Sequence, residues 1–400
     1  MSTLAQPSKK KLLGAAGIAW LFDAMDVGML SFIIAALAAE WKLTESQMGW
    51  IGSVSSIGMA VGAFLFGLAS DRYGRKNILI ATLLIFAICS GLSALTTGLA
   101  AFLVLRFFVG MGLGGELPVA STLVSESVDS ATRGRTVVLL ESFWALGWIV
   151  AAVIAYFIIP PLGWRIALLI GALPAFYALY LRWSIREPEA FKAGRSKSQS
   201  VLRGVLSVWE KPYARRTTML WLLWFTVVFS YYGMFLWLPS VVVLKGFSLI
   251  HSFQYVLIMT LAQLPGYFTA AWLVEKWGRK PVLITFLLGT AVSAYFFGGA
   301  GSLTVLLIFG ILLSYFNLGA WGALYAYSPE QYPVIVRGTG TGMAAGFGRI
   351  GGILGPLLVG YLLAGHTSIQ IIFAIFCLAI VIGVLAVLLL GTETKNQPIH

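Results

Sequence analysis

Six ionisable side chains lie in stretches otherwise too apolar to hold them: Asp23, Asp26, Arg106, Glu116, Glu141 and Arg349. A charge at the centre of a bilayer-spanning helix costs about 2.5–3.5 kcal/mol on insertion scales, so residues kept there mark proton relays, ion pairs or sites for charged substrates. Asp26 and Arg106 suit one another. A guanidinium keeps a nearby carboxylate ionised, and protonating the acid would release it. With Asp23 three residues earlier, they are candidates for coupling protons to movement; the alternative is a static bridge between two helices. Glu116 and Glu141 are either further proton sites or hydrogen-bonding partners for neighbouring helices. Arg349 is the candidate for a small carboxylate, because its planar fork of donors can bind both oxygens at once. The alternatives are neutralising a buried acid and clamping a backbone carbonyl.

Aromatic residues extend this chemistry. Tyr231, Tyr232 and Trp237 cluster in one apolar stretch, and Asn317, Trp321 and Tyr325 recur every four residues along one helical face. Trp144 shares a face with Glu141. Rings of this kind stack on a flat substrate, and an amide or phenol can reach a ring nitrogen. Core packing is the alternative for each of them singly. An arginine beside aromatics fits a small flat aromatic carboxylate, a heterocyclic or a benzoate-like acid equally well.

These residues must be carried by membrane-spanning helices. Apolar side chains make up 59% of the 400 residues and charged ones 10%, against roughly 25% in a soluble domain. The polar surface is too small to cover a water-soluble globule. Stretches of about 20 apolar residues, the length a bilayer requires, occur at 12–38, 48–70, 78–97, 100–125, 134–158, 164–184, 217–240, 250–274, 281–299, 303–327, 335–364 and 367–390. The expected fold is an all-α membrane protein of twelve transmembrane helices in two six-helix bundles: 1–184, a cytoplasmic linker over 185–216, and 217–400. With the N-terminus inside, 22 of the 27 Lys and Arg fall in cytoplasmic segments and three in external ones. That bias orients a multi-pass chain with both termini cytoplasmic. It also accounts for the net charge of +12 without nucleic acid.

The two halves repeat. Asp71-Arg-Tyr-Gly-Arg75-Lys76 follows span 2 and Glu275-Lys-Trp-Gly-Arg279-Lys280 follows span 8, with 275 − 71 = 204. After spans 4 and 10 come Glu126 with Arg133 and Glu330 with Arg337, and 330 − 126 is again 204. An even number of spans per half makes these parallel repeats. The paired charges Asp71, Arg75, Glu126, Arg133, Glu275, Arg279, Glu330 and Arg337 are candidates for gating, Glu126, Arg133, Glu330 and Arg337 through bridges between bundles. Topogenic charge and static capping are the alternative.

The segment Gly67-Leu-Ala-Ser-Asp71-Arg-Tyr-Gly74-Arg75-Lys76, with its copy 204 residues on, resembles the loop 2–3 signature of the major facilitator superfamily. The resemblance implies a cavity between bundles lined by spans 1, 4, 7 and 10, and alternating access by rocking. Trp20-Leu-Phe-Asp23-Ala-Met-Asp26-Val-Gly28, Gly112-Leu-Gly-Gly-Glu116-Leu-Pro118, Tyr231-Tyr-Gly-Met-Phe-Leu-Trp237-Leu-Pro239 and Gly348-Arg349-Ile-Gly-Gly352 resemble, more narrowly, the bacterial niacin transporters. That likeness implies secondary, proton-coupled uptake of nicotinate across a bacterial inner membrane. Other aromatic acids, a sugar, or a non-transporting sensor remain as alternatives. The partners expected are an anionic aromatic substrate, protons and lipid, with a monomeric chain.

Other chemistries lack their residues. There is no Walker-type phosphate loop, and Gly112-x-Gly114 lies in a span with no strand before it. No nucleophile–base constellation points to an enzyme. His251, His366 and His400 fall in loops or the tail, so no metal or cofactor site is expected; Cys89 and Cys377 stand in separate spans.

Overall fold

The computed structural model describes residues 9–73, 75–127, 133–174, 176–177, 208–211 and 213–395, and among them it is helical, with no strand. Among the described residues nine segments are long and apolar enough to cross a bilayer, and two shorter apolar helices, Ile80–Ser93 and Leu99–Gly114, sit where spans 3 and 4 are expected. The remaining span, 164–184, begins as a helix over Trp164–Ile170 and runs beyond the described residues.

The chain divides into two compact units, Met1–Met29 with Val54–Ser196, and Leu30–Ser53 with Lys197–His400. Helices α1 (Lys9–Trp41) and α2 (Glu45–Tyr73) contribute to both. The first unit continues with α3 (Arg75–Ser93), α4 (Leu99–Ser127), α5 (Arg133–Leu162) and α6 (Trp164–Ile170). Here α2 and α4 meet backbone to backbone. A β-carbon at Gly58 or Gly62 would collide with the carbonyl of Phe107 or Met111, and one at Gly110 or Gly114 with that of Ser55 or Met59. Two glycines four residues apart on each helix make that approach possible where no hydrophobic force drives helices together.

The second unit holds α7 (Ala214–Phe235), α8 (Leu238–Leu244), α9 (Leu249–Leu261), α10 (Gln263–Lys276), α11 (Arg279–Gly298), α12 (Leu303–Glu330), α13 (Val334–Ala364) and α14 (Ile369–Leu390). Hydroxyls of Ser248, Ser302 and Ser368 accept the N–H of His251, Val305 and Ile371, capping α9, α12 and α14. Spans 7 and 8, read as continuous from sequence, are each interrupted. Helix α7 ends at Phe235 and α9 at Leu261. These residues lie four positions before Pro239 and Pro265, where a proline ring collides with the carbonyl and offers no N–H. Residues 30–53 pack within this unit: Gly49 lies against the Pro356 backbone, and Ser53 Oγ donates to the Ile353 carbonyl at 2.7 Å.

The repeat extends to tertiary contacts. In the second unit a β-carbon at Gly266 would meet the Tyr315 carbonyl. Both members stand 204 residues beyond Gly62 and Met111 (266 − 62 and 315 − 111), which make the same contact in the first unit.

Candidate functional site

In the first unit the structure brings Asp26 and Arg106 together. Arg106 donates through Nη1 to Asp26 Oδ1 at 3.4 Å and through Nη2 to Oδ2, and Ser90 Oγ donates to Oδ1 at 3.3 Å. The two side chains are 2% exposed or less. Helices α1, α3 and α4 thus converge on one carboxylate. Asp23 is buried one turn away. Glu141 on α5 is 2% exposed, and its Oε2 reaches no hydrogen-bond partner among the described residues. Trp144, one turn further on, packs edge-on against Trp20 with ring centres 6.1 Å apart.

In the second unit Arg349 of α13 donates through Nη1 to the Tyr232 hydroxyl of α7 at 3.2 Å. Tyr232 adjoins Tyr231, whose ring lies 4.9 Å from that of Trp321 on α12. Trp321 in turn sits 6.0 Å from Tyr325. Asn317, one turn before Trp321, is buried, and its Oδ1 finds no partner among the described residues. Arginine, aromatic rings and amide therefore share one region of one unit. Trp237 is also buried, and its indole N–H is taken by the Pro356 carbonyl of α13 at 3.2 Å.

The charged loop of the second unit forms a connected network. Arg279 reaches Glu275 at 3.4 Å and Glu330 at 3.2 Å. Glu330 pairs with Arg279 and the Thr394 hydroxyl of its own unit, and Arg337 donates to the Tyr332 carbonyl at 3.3 Å. Proximity decides this, because α12 ends beside the turn that starts α11. The side chains of Asp71, Arg75, Glu116, Glu126 and Arg133 lie outside the described residues.

Glu393 and Trp224 escaped the sequence reading, and Gly278 figured there only as part of the repeated loop. Glu393 accepts the backbone N–H groups of Arg279, Lys280, Thr394 and Lys395 at 2.8–3.1 Å. Burial alone would raise its carboxyl, but those four donors outweigh it and hold the group below the usual carboxylate range. Gly278, at φ 104°, leads into α11 with Glu393 pressed against it, so no side chain fits there. Trp224 joins the aromatic cluster, 5.1 Å from Tyr325 and 6.3 Å from Trp321. Its place seven residues before Tyr231, two helical turns, was the available signal. Among the described residues no group of three or more His, Cys, Asp or Glu could hold a metal ion.

The model of the Major Facilitator Superfamily matches residues 16–268 and 254–399. The chain belongs to the major facilitator superfamily. Within it, a Bacillus subtilis (strain 168) protein is 65% identical over 98% of each chain, and its name provisionally assigns it niacin/nicotinamide transport. An Acinetobacter baylyi protein named as a niacin transporter is 44% identical over 97% of this chain and 95% of its own. Among solved structures, a D-xylose–proton symporter aligns over 96% of this chain and 98% of its own, with a TM-score of 0.78 and 19% identity. The E. coli xylose transporter XylE, partially occluded and inward open, aligns over 98% of this chain and 99% of its own, with a TM-score of 0.76 and 18% identity. These structures share the fold. The chain is accordingly an all-α, multi-pass membrane transporter of the superfamily and not an enzyme.

Proposed function

We propose that this protein is a proton-coupled uptake carrier for niacin (nicotinate) in a bacterial cytoplasmic membrane, working by alternating access. The observation that carries the reading is Arg349, a guanidinium in the middle of α13, held by Tyr232 beside the rings of Tyr231, Trp321 and Tyr325. The names of the Bacillus and Acinetobacter relatives support the choice of substrate. Arg349 binds the carboxylate, and the aromatic side chains hold the flat ring. Asp26 takes up the proton. Once neutral it no longer holds Arg106 and Ser90, and the contacts joining α1, α3 and α4 change. Proton binding thereby biases the equilibrium between the two access states. Asp23 and Glu141 lie in the same unit as further proton-binding candidates. The charge bias of the loops puts both termini on the cytoplasmic side.

The test is uptake of labelled nicotinate into proteoliposomes under an imposed pH gradient, with unlabelled nicotinate, nicotinamide and benzoate as competitors. Accumulation that follows the gradient, with nicotinate competing far better than nicotinamide, is expected. Equal competition by the uncharged amide would remove the role given to Arg349, and uptake indifferent to the gradient would remove that given to Asp26.

A further inference from the structure

The carboxylate and the aromatic rings leave one question of chemistry open, since a benzoate-like acid satisfies both. The answer lies where α10 meets α12. Gln263 is 0% exposed, and both its Nε2 and its Oε1 lack a hydrogen-bond partner among the described residues. Ser314 Oγ and Asn317 Oδ1 on α12 are buried in the same condition. Buried polar groups are nearly always paired, because each one left without a partner costs free energy. Such a concentration on two packed helices points to a polar group that comes and goes.

The backbone brings the two helices together near these residues. Gly266, three residues after Gln263, lies against the Tyr315 carbonyl of α12. Ser314 and Asn317 flank Tyr315 on the same stretch. Gln263 is also the first residue of α10, just past the interruption that Pro265 imposes on span 8. Irregular backbone at membrane depth persists where it faces protein or a cavity rather than lipid. From Asn317 the same helix leads in one turn to Trp321, then to Tyr231, Tyr232 and Arg349. Asn317 therefore stands one turn from the aromatic side chains beside Arg349, on the helix that α10 packs against.

We propose that Gln263, with Ser314, forms the subsite that recognises a hydrogen-bond-accepting ring nitrogen, and that it sets the preference for a pyridine carboxylate over a benzoate. Gln263 Nε2 donates to the ring nitrogen of the anionic substrate. A benzoate presents a C–H at that point and leaves the amide buried without an acceptor. A site built to hydrogen-bond its substrate rejects an analogue lacking the partner far more strongly than an apolar pocket rejects a small change in size. This inference rests on the nicotinate reading above and adds its specificity determinant.

The test compares unlabelled nicotinate and benzoate as competitors of labelled nicotinate uptake by the full-length protein in proteoliposomes. Wild type should need roughly tenfold to a hundredfold more benzoate than nicotinate for half-inhibition. Gln263→Leu should shrink that ratio by about tenfold, chiefly by weakening nicotinate. Where a variant no longer transports, the shift in thermal unfolding of the detergent-purified protein by each acid gives the same ratio. Ser314→Ala should move the ratio in the same direction. A ratio unchanged in both variants overturns this proposal while leaving nicotinate transport standing, and would mean the buried groups pair with water. Wild-type protein that neither binds nor carries nicotinate overturns the transport reading and this inference with it.

Discussion

Asp26 of α1 receives both terminal nitrogens of Arg106 of α4 at a point where each side chain is almost wholly withdrawn from solvent. Two opposite charges in hydrocarbon tolerate each other's presence but not each other's loss. Arg106→Met should therefore destabilise the protein by about 3–5 kcal/mol while Asp26 stays charged. The double variant Asp26→Asn/Arg106→Met should recover much of that loss and still fail to accumulate substrate against a pH gradient. Thermal unfolding of both variants, beside gradient-driven uptake, checks the pair. Strict additivity of the two substitutions would mean that the pair is not coupled.

Tyr232→Phe removes the hydroxyl to which Arg349 donates. A hydrogen bond to a charged group is worth more than a neutral one, so the KM for nicotinate should rise about tenfold with the maximal rate less affected. Uptake kinetics over a range of nicotinate concentrations decide this. An unchanged KM would mean that Arg349 holds its pose without the phenol.

Glu393 gives a pH dependence whose sign follows from its four backbone donors. A carboxyl held below its unfolded value stabilises the folded state above that value, and the contribution is lost as pH falls through the folded one. Glu393→Gln should lower the unfolding temperature at pH 7 by about 2–4 °C. Wild type and variant should converge as the pH drops below the ordinary carboxylate range. A difference that persists unchanged at acid pH would assign the effect to packing rather than to charge.

Gly62 and Gly266 predict a matched pair of outcomes, since each sits against the backbone of the helix it packs on. Gly62→Leu and Gly266→Leu should each cost about 3 kcal/mol or more, enough to deplete folded protein in the membrane. Gly98→Ala, where an added β-carbon meets nothing within 4 Å, is the control and should be near neutral. Folded yield by size exclusion in detergent measures all three.

Much of this architecture is legible one residue at a time, because the bilayer is a severe solvent. An apolar run must close its own backbone hydrogen bonds, so it can only be a helix, and the Lys and Arg between runs orient it. The same severity makes Asp26, Arg106 and Arg349 conspicuous, and the copied loop at an offset of 204 exposes the duplication. Gln263 is not conspicuous. An uncharged amide in an apolar span draws little notice until its neighbours are known, and only the packing of α10 on α12 reveals that neither of its polar ends is met among the described residues. Trp224 was hidden for a related reason, since tryptophans are common at both membrane interfaces and depth alone did not single it out.

Glu330 marks the boundary between the two kinds of information. Its charge and its place at the end of span 10 are properties of the sequence, and so are the number of spans, their direction and the presence of acids and arginines inside them. Which partner it takes is not. Arg279, Arg337 and the Thr394 hydroxyl were all compatible with its chemistry, and the turn into α11 together with the docked 391–395 segment selects Arg279 and Thr394. Local chemistry sets what each side chain can do; the distances at which such short-range bonds form are set only when the helices have packed.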